Sequence, residues 1–400
     1  EIIDQQFAYA NTAHTALRFD SEIFPQVPAR MWRVRGIKVK IPNNASVRAD
    51  GSLSFSGSWN GSFSGTKVST TCPSWILYDI LTNERYGFGS HITEAQLDKF
   101  SFYSVSTYNN ELINDGQGGT HARFAFNGSV QKQTDAYKLI NSLCSTMRVM
   151  PYWGSSGALY ISQDSPKSSS YIFNLSNTLE GGFSYEGTSS KTRATQINVS
   201  YFDSITRTVD WEDVSDSAMQ NKWGIIQKNV KGYGVTSRGQ ASRLGKWMLY
   251  TLTRECEVVN FKATLETCIL APGDIIEIAD PVRSGLRRGG KIASASSTSI
   301  TVDDSSSQTD LDNSNNPILS VVLPDGSMET KTVTNIDGAV ITVDSAFSST
   351  PQYNSVWILS NDTAQTTTWR IISIVEGENN IYEISALTYN ESKFDYIEDD

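Results

Sequence analysis

Turn-forming dipeptides recur along this chain of 400 residues and constrain its fold more than any other feature. An Asn or Asp followed by Gly favours the positive φ angles of tight hairpin turns. The segments between these dipeptides are short, and many alternate apolar with polar residues, as strands with one buried face do. The dipeptides are Asp50-Gly51, Asn60-Gly61, Asp115-Gly116, Asn127-Gly128, Asp325-Gly326 and Asp337-Gly338. Most of the chain is therefore expected to form antiparallel sheet.

The clearest alternating segments predict three strands, at 32–41, 195–201 and 257–263. Four other stretches predict helices, at 73–84, 94–108, 132–147 and 238–253. The first begins at Pro73, and the second and fourth follow the capping boxes Thr93-x-x-Gln96 and Ser237-x-x-Gln240. The third and fourth carry apolar residues at helical spacing, so one face of each should pack against sheet.

Beyond residue 291 the helical pattern ends and a small β-barrel is predicted, at about 281–365. Short β-type runs at 299–302, 318–323, 331–333 and 340–343 lie between clusters of Ser, Asp and Asn. Strands of a different, longer style precede the barrel at 274–279 and follow it at 368–374. We therefore expect the barrel to be inserted into a parent domain that closes with about 366–390.

Charge and composition exclude several classes of protein. The chain has 33 Lys and Arg against 43 Asp and Glu, a net charge of -10, which argues against binding nucleic acid by phosphate neutralisation. No apolar run approaches the roughly 18 to 20 residues that span a bilayer. The first residues have neither an initiator Met nor the features of a signal peptide, so we expect a piece of a longer protein.

The sequence predicts no catalytic, cofactor-binding or metal-binding residue. Its three histidines are far apart in sequence, and its four cysteines (Cys72, Cys144, Cys256 and Cys268) form no CxxC pair, so buried free thiols are expected. The glycine-rich stretch 114–120 lacks the Lys of a phosphate loop and the carboxylate spacing of a calcium loop, so a surface loop is expected there.

Two clusters of charge leave alternatives open. Asp210, Glu212 and Asp213 flank Trp211, an arrangement compatible with glycoside cleavage but more typical of a solvated turn. A basic cluster at 283–291 is expected to pair with acidic neighbours, such as the tail at 398–400, or to contact a phosphate. The basic residues are Arg283, Arg287, Arg288 and Lys291. The large aromatic residues Trp59, Trp75, Trp153, Trp211 and Trp247 are expected in a core or at a subunit interface rather than in a sugar site.

The stretch 74–89, SWILYDILTNERYGFG, resembles the W-x-L-x-D-L-L-T-x-x-R-Y-G-x-G signature of the tail tip attachment proteins of lambda-type long-tailed phages. Further pieces follow in the order of that family, across about 9–280. They are Arg35-Gly36 with Pro42-Asn43-Asn44, the stretch 58–63, MRVMPYW at 147–153, TSRGQA at 236–241 and PGDIIEI at 272–278. Beyond 281 the likeness is looser.

This resemblance implies a mainly β fold with α+β modules, in a tail-hub architecture of tube domains with an inserted, OB-like small barrel. It implies the following parts: 1–70, a β-rich hub segment; 71–160, an α/β module; 161–280, a β domain with one long helix; 281–365, the inserted barrel; and 366–400, closing strands.

The implied work is structural, with no cofactor and no enzymatic activity. Three copies would form a ring at the distal end of the virion tail, after synthesis in the host cytoplasm. The implied partners are the distal tail ring protein, the tape-measure protein, other tail tip proteins and the central fibre, with the host surface reached indirectly. Double-stranded DNA would pass through the lumen without specific binding, which an acidic chain suits.

The motif residues are expected to determine folding or to lie at interfaces. They are Trp75, Asp79, Arg85, Tyr86, Gly87, Gly89, Arg148, Pro151, Trp153, Ser237, Arg238, Gly239, Gln240, Pro272, Gly273 and Asp274. Arg85 would lie near the negative end of the first helix, and the glycines would turn the chain there. Arg238 and Arg243 would either pair with a carboxylate of a neighbouring subunit or face solvent. Two other functions stay open: a glycan-binding or carbohydrate-active tail module, and a related injection device of contractile tails or secretion systems.

Overall fold

The computed structural model describes residues 14–20, 22–24, 26–27, 32, 34–130, 135–179, 181–188, 193–285, 287–303, 316–361 and 366–398. The chain divides into two compact units, residues 1–37 and residues 38–400. In the described part of the first unit neither helix nor strand forms, and Phe19 packs edge-on against Phe24 with ring centroids 6.5 Å apart.

The predicted strand at 32–41 is wrong for the residues that are described; Arg33 lies outside them. Only Val39 pairs, through a single antiparallel bridge to Val68. An alternating pattern identifies a segment that suits a sheet, but a strand needs a neighbour to satisfy its backbone groups. Within the described chain no such neighbour flanks 34–38.

The strands are numbered in chain order. They are β1 (Ala45–Val47), β2 (Leu53–Phe55), β3 (Leu112–Asn114), β4 (Thr120–Ala122), β5 (Val149–Trp153), β6 (Leu159–Gln163), β7 (Ser169–Asn174), β8 (Ser184–Gly187), β9 (Gln196–Phe202), β10 (Val209–Ser215), β11 (Gln227–Lys231), β12 (Glu257–Ala263), β13 (Ile275–Ala279), β14 (Gly289–Ala295), β15 (Ser299–Val302), β16 (Ile318–Val322), β17 (Met328–Asp337), β18 (Val340–Val343), β19 (Val356–Ser360), β20 (Thr367–Glu376) and β21 (Tyr382–Thr388).

The α-helices are α1 (Pro73–Thr82), α2 (Lys99–Asn109), α3 (Ala136–Thr146), α4 (Ser217–Trp223), α5 (Arg238–Thr253), α6 (Pro281–Ser284) and α7 (Ser392–Glu398). The predicted helices at 73–84 and 238–253 are confirmed. The described part of 132–147 also forms a helix, which begins after its cap Asp135.

The predicted helix at 94–108 begins later than the sequence indicates. The capping box of Thr93 and Gln96 forms, but it opens only one 3-10 turn. Leu97 then bridges to Leu159, and Asp98 accepts a hydrogen bond from the backbone of Ser101 to cap α2. Tertiary pairing at Leu97 thus interrupts what local capping favours.

The first part of the second unit is an α/β module around one aromatic core. The hairpins β1-β2, β3-β4 and β5-β6 surround α1, α2 and α3. Trp75 of α1 is fully buried, stacks edge-on against Trp59 and donates from Nε1 to the Ser106 hydroxyl at 2.8 Å. The core prediction holds for these two tryptophans.

Two sheets follow this module. The smaller has the order β10-β9-β11 and is covered by α5, where the absence of a side chain at Gly245 lets Val214 of β10 approach the helix. The larger has the order β7-β13-β20-β21-β12-β8, and its core includes Phe173, Phe261 and Trp369.

The predicted barrel is confirmed as a closed, six-stranded barrel with the order β14-β15-β18-β17-β16-β19. It is inserted between β13 and β20, which pair with each other in the six-stranded sheet. The chain therefore leaves a sheet, builds a barrel and returns to the neighbouring strand. The mainly β fold with α+β modules and an inserted barrel is confirmed; the predicted domain limits stay predictions.

Most of the turn dipeptides behave as expected. The glycines at 51, 61, 116, 326 and 338 all have positive φ, whereas Gly128 does not, so Asn127-Gly128 is not a hairpin turn.

The four cysteines are free, as predicted, but only Cys72 and Cys144 are buried. Cys256 is partly exposed and Cys268 is exposed, so the prediction of buried thiols is wrong for these two.

Candidate interaction surface and buried charge cluster

A cleft of about 570 Å³ lies between the start of α5, strand β10 and the loop that joins β3 to β4. We call it the acidic cleft. Four carboxylates line it, together with one guanidinium and an exposed tryptophan. The carboxylates are those of Asp115, Asp203, Asp210 and Glu212, the guanidinium is that of Arg238, and the tryptophan is Trp211.

Folding brings three separately predicted stretches together in this cleft. They are the glycine-rich loop 114–120, the acidic strand 210–213 and the helix start 237–240. Asp213, on the same strand, is the exception and does not line the cleft. His121, Tyr201 and Asp203 also line the cleft, which the sequence did not predict; the turn after β9 is the local feature that could have indicated Asp203.

The start of α5 is fixed by its own motif residues. Ser237 caps the helix by accepting from the backbone of Gln240. The side-chain amide of Gln240 both accepts from the backbone N–H of Ala125 and donates to its carbonyl. A side chain at Gly239 would lie 2.8 Å from the carbonyl oxygen of Asp115, so glycine there lets the loop pack on the helix.

Charges in and beside the cleft have partners within the chain. Arg238 donates from Nε to Glu212 at 2.7 Å, and this bond raises the pKa of the Arg238 guanidinium. The backbone N–H groups of Gln117 and Gly119 donate to Asp115 and lower the pKa of its carboxyl. Arg238 is exposed, as expected for a solvated helix face, and it forms its ion pair within the chain; pairing with a neighbouring subunit stays a prediction.

Arg243 is buried rather than exposed on the helix face. It donates to His121 at 2.7 Å and to the carbonyl oxygen of Arg123 at 3.1 Å. The expectation that Arg243 faces solvent or a neighbouring subunit is therefore wrong, because the residue is buried within the chain.

The signature residues around α1 form a separate group that holds the helix end. The Tyr86 hydroxyl donates to the Asp79 carboxylate, and the backbone N–H groups of Gly87 and Gly89 both donate to the Asn83 carbonyl. A Cβ at either glycine would overlap the helix backbone. Arg85 is exposed. These residues stabilise the turn after the helix.

The second residue of the MRVMPYW motif, Arg148, has a strained backbone. It is buried and has a positive φ of 55°. It donates to the carbonyl oxygen of Arg243 at 3.2 Å and lies over the rings of Phe124 and Trp247, and burial lowers its pKa to about 10. Pro151 lies in β5, and Trp153 at the end of β5 is 59% exposed, so the core prediction is wrong for it.

The core prediction also fails for Trp211, which is 52% exposed, whereas Trp247 of α5 is partly buried and donates to Asp164. The Pro272-Gly273-Asp274 turn leads into β13: Gly273 has a φ of 92° and donates to the Ile371 carbonyl at 2.8 Å.

A buried charge cluster, absent from the sequence analysis, fastens the last helix to the rest of the chain. Asp164 accepts from Lys393 and from Trp247 and pairs with Arg370, and Lys393 also pairs with Glu255 at 2.8 Å. Burial alone would raise the pKa of Asp164, but the cations of Arg370 and Lys393 outweigh it and lower the pKa to about 2.

The basic cluster at 283–291 does not pair with the chain end. Arg283 donates to Glu257 at 3.0 Å, and Arg287 pairs with Asp303. Glu398 instead pairs with Arg123 at 2.7 Å, while residues 399 and 400 lie outside the described residues. The expected pairing is therefore wrong as far as Glu398 is concerned.

The described residues contain neither a candidate membrane-spanning helix nor a candidate group of metal ligands. No helix there is both long and apolar enough to cross a membrane. Nor do any three His, Cys, Asp or Glu side chains of the described ranges cluster as metal ligands would.

Comparison with known proteins agrees with the signature. The family model Phage-tail_3, of phage tail proteins, matches residues 135–293. Tip attachment protein J of Escherichia phage SECphi27 is 30% identical over 412 residues, covering 100% of this chain and 33% of that protein. Its namesake from Escherichia phage SECphi4 is 27% identical over 380 residues, covering 94% of this chain and 32% of that protein. The chain thus spans about a third of the length of these curated relatives.

Among solved structures, the virion of a native gene transfer agent particle contains a similar chain. The TM-score is 0.44 at 8% identity, over 80% of this chain and 48% of that chain. At such a score the structural likeness carries no weight in assigning the family. The two sequence relatives and the family match confirm the resemblance that the motifs indicate. Over its whole length this chain is a relative of phage tail tip attachment proteins.

Proposed function

We propose that this chain is a structural part of a phage tail tip, in which three copies form a ring that closes the distal end of the tail tube. The observation that carries the proposal is the 30% identity to a tip attachment protein along the whole chain. In this proposal the ring joins the distal tail ring protein and the tape-measure protein to the other tip proteins and the central fibre.

The charge of the chain supports a passive lumen. A net charge of -10 gives DNA phosphates no counterion-release incentive to bind, so double-stranded DNA passes through an opened ring without being held. Contact with the host surface is then indirect, through parts of the tail tip attached to the ring. The ring opens for DNA ejection after that contact.

The acidic cleft is the surface we propose for contact with another copy. It joins four carboxylates to the exposed aromatic ring of Trp211, and β10 beside it is an edge strand of its three-stranded sheet. Exposed aromatic residues surrounded by charge are common at protein interfaces.

The test is the oligomeric state of the chain by sedimentation velocity, with negative-stain class averages. We expect a species of three times 44.1 kDa and threefold rings with a central opening. Asp210→Lys should lower the association constant of the trimer at least tenfold, because the Asp210 side chain lines the cleft. Asp213→Lys is the matched control on the same strand and should leave the trimer intact. A chain that stays monomeric at high concentration would contradict the ring.

One observation favours a second function, glycan binding: Trp211 lies among the carboxylates of the acidic cleft. Cleavage is less favoured, since Glu212 is held by Arg238 and Asp213 does not line the cleft. Trp211→Ala should abolish binding to host polysaccharide if the cleft holds sugars. Absence of binding by the unaltered chain would remove this function.

A further inference from the structure

A second, smaller cavity of about 160 Å³ lies where the inserted barrel meets the six-stranded sheet. Its walls come from the end of β13, from α6, from the residue before β14, from β19 and from the start of β20. Ile278 and Leu359 supply apolar wall, and three charged residues line the rest: Asp280, Arg283 and Arg288.

Arg288 is the unusual member of this set. Its side chain is nine-tenths buried, with an exposure of 8%, and neither Nε nor Nη1 has a hydrogen-bond partner. No described carboxylate forms an ion pair with it. A guanidinium does not lose its proton in a protein, so the charge persists, and a buried charge without a partner is costly.

The other polar groups of the cavity are already engaged. Asp280 accepts from the backbone of Val282 at 2.9 Å and from the Tyr185 hydroxyl at 3.0 Å. Arg283 donates to Glu257 and lies 4.5 Å over the Tyr185 ring. Among the described charged residues that line the cavity, Arg288 is the one with buried side-chain nitrogens that lack a hydrogen-bond partner.

We propose that this cavity is a binding site for a single carboxylate group, held by charge-assisted hydrogen bonds from Arg288. One unpaired positive charge matches one carboxylate, whereas a doubly charged phosphate would place a second negative charge beside Asp280. The apolar walls strengthen the interaction because they lower the local dielectric constant. The carboxylate is either a free small anion or an acidic side chain; the site does not depend on the proposed tail tip role.

The test is thermal unfolding of the whole chain in sodium acetate, sodium phosphate and sodium chloride at matched ionic strength and pH. Acetate should raise the Tm above its value in chloride by about 2 °C or more, since a ligand that binds only the folded state stabilises it. Arg288→Met should remove that rise. Arg35→Met, at an exposed arginine, is the matched control and should keep it.

Each outcome decides the proposal. Equal Tm values in acetate and chloride, or a rise that persists in Arg288→Met, would overturn it. A rise in phosphate alone that depends on Arg288 would overturn the assignment to a carboxylate. If Arg288→Met does not fold, Arg288→Lys replaces it and should weaken the acetate effect, because the ammonium lacks the guanidinium fork.

A second titration distinguishes the two sources of the carboxylate. It compares free acetate with a short peptide that has blocked, uncharged ends and one Asp side chain. The Arg288-dependent rise in Tm is measured for both. A rise with both probes supports a side chain as the natural occupant, and a rise with acetate alone supports a free anion.

Discussion

The ammonium group of Lys393 donates a hydrogen bond of 2.9 Å to Oδ2 of Asp164, although 229 residues separate the two in sequence. The Lys393 side chain is only 1% exposed and also pairs with Glu255. Asp164 follows β6 of the α/β module, and Lys393 belongs to α7. The cluster therefore ties the last helix to the first module of the second unit, and the two should unfold together.

Removing Lys393 should be strongly destabilising. Lys393→Met leaves Glu255 without a cation and Asp164 with one fewer, and breaking a buried ion pair from one side costs about 3 to 5 kcal/mol. Urea unfolding measures the free energy of unfolding of both proteins. Lys262→Met is the control, since its pair with Glu383 is exposed and should contribute at most about 1 kcal/mol. Equal effects of the two substitutions would contradict the buried cluster.

The same cluster predicts a loss of stability in acid. The pKa of Asp164 is about 2 in the folded chain against an ordinary value of 3.8, so its contribution is complete above 3.8 and disappears as the pH falls through 2. That contribution is about 2 kcal/mol. Glu255, whose pKa burial raises above 4.5, titrates at higher pH.

Urea unfolding at pH 4, 3 and 2 tests this acid sensitivity. Between pH 4 and pH 2, Asp164→Asn should lose about 2 kcal/mol less than the unaltered chain, whatever its stability at pH 4. Other carboxylates titrate in both proteins and cancel in the comparison. Parallel pH curves for the two proteins would contradict the lowered pKa.

The hydrogen bond between Tyr86 and Asp79 should stabilise the end of α1. Tyr86→Phe removes only the hydroxyl and should cost about 1 to 3 kcal/mol, because the acceptor is a buried carboxylate. The measurement is thermal or urea unfolding. Tyr137→Phe is the control at a tyrosine that is 75% exposed and should change stability by less than about 0.5 kcal/mol. If Tyr86→Phe left the stability unchanged, the motif tyrosine would have a role other than stabilising the end of α1.

The two signature glycines should not tolerate a side chain. A Cβ at Gly87 would overlap the Ile80 carbonyl and one at Gly89 the Thr82 carbonyl, and helix backbone cannot move aside. Gly87→Ala and Gly89→Ala should each cost about 3 kcal/mol or more of unfolding free energy. Gly65→Ala has open space around its Cβ and serves as the control. Substitutions at 87 and 89 as mild as the control would contradict this packing.

The sequence predicted elements well where local signals and tertiary packing agree. Helix α5 has a Ser237 cap and a long amphipathic face, and strands β12 and β15 have clean patterns between turns, so all three match their predicted limits. The segment 32–41 failed because its pattern says nothing about a partner strand. The helix predicted at 94–108 begins only at Lys99, because Leu97 pairs with Leu159. No local sequence signal indicates that contact.

The candidate sites were less predictable, because they depend on contacts between distant stretches. Composition alone could not separate the buried Trp75 from the exposed Trp153 and Trp211, since a large aromatic suits both a core and an interface. No local sequence pattern around Asp164 or Lys393 indicates that the two residues pair. The basic cluster was visible, but only folding distinguishes Arg288 from its paired neighbours.

The most direct test of the central claim is the position of the protein in the virion. Gold-labelled antibodies raised against this chain are applied to particles of the phage that encodes it and viewed by electron microscopy. The account predicts label at the distal end of the tail and nowhere along the tube. Label on the capsid or along the tube, or tails with no label after the epitopes are exposed, would contradict a structural role at the tail tip.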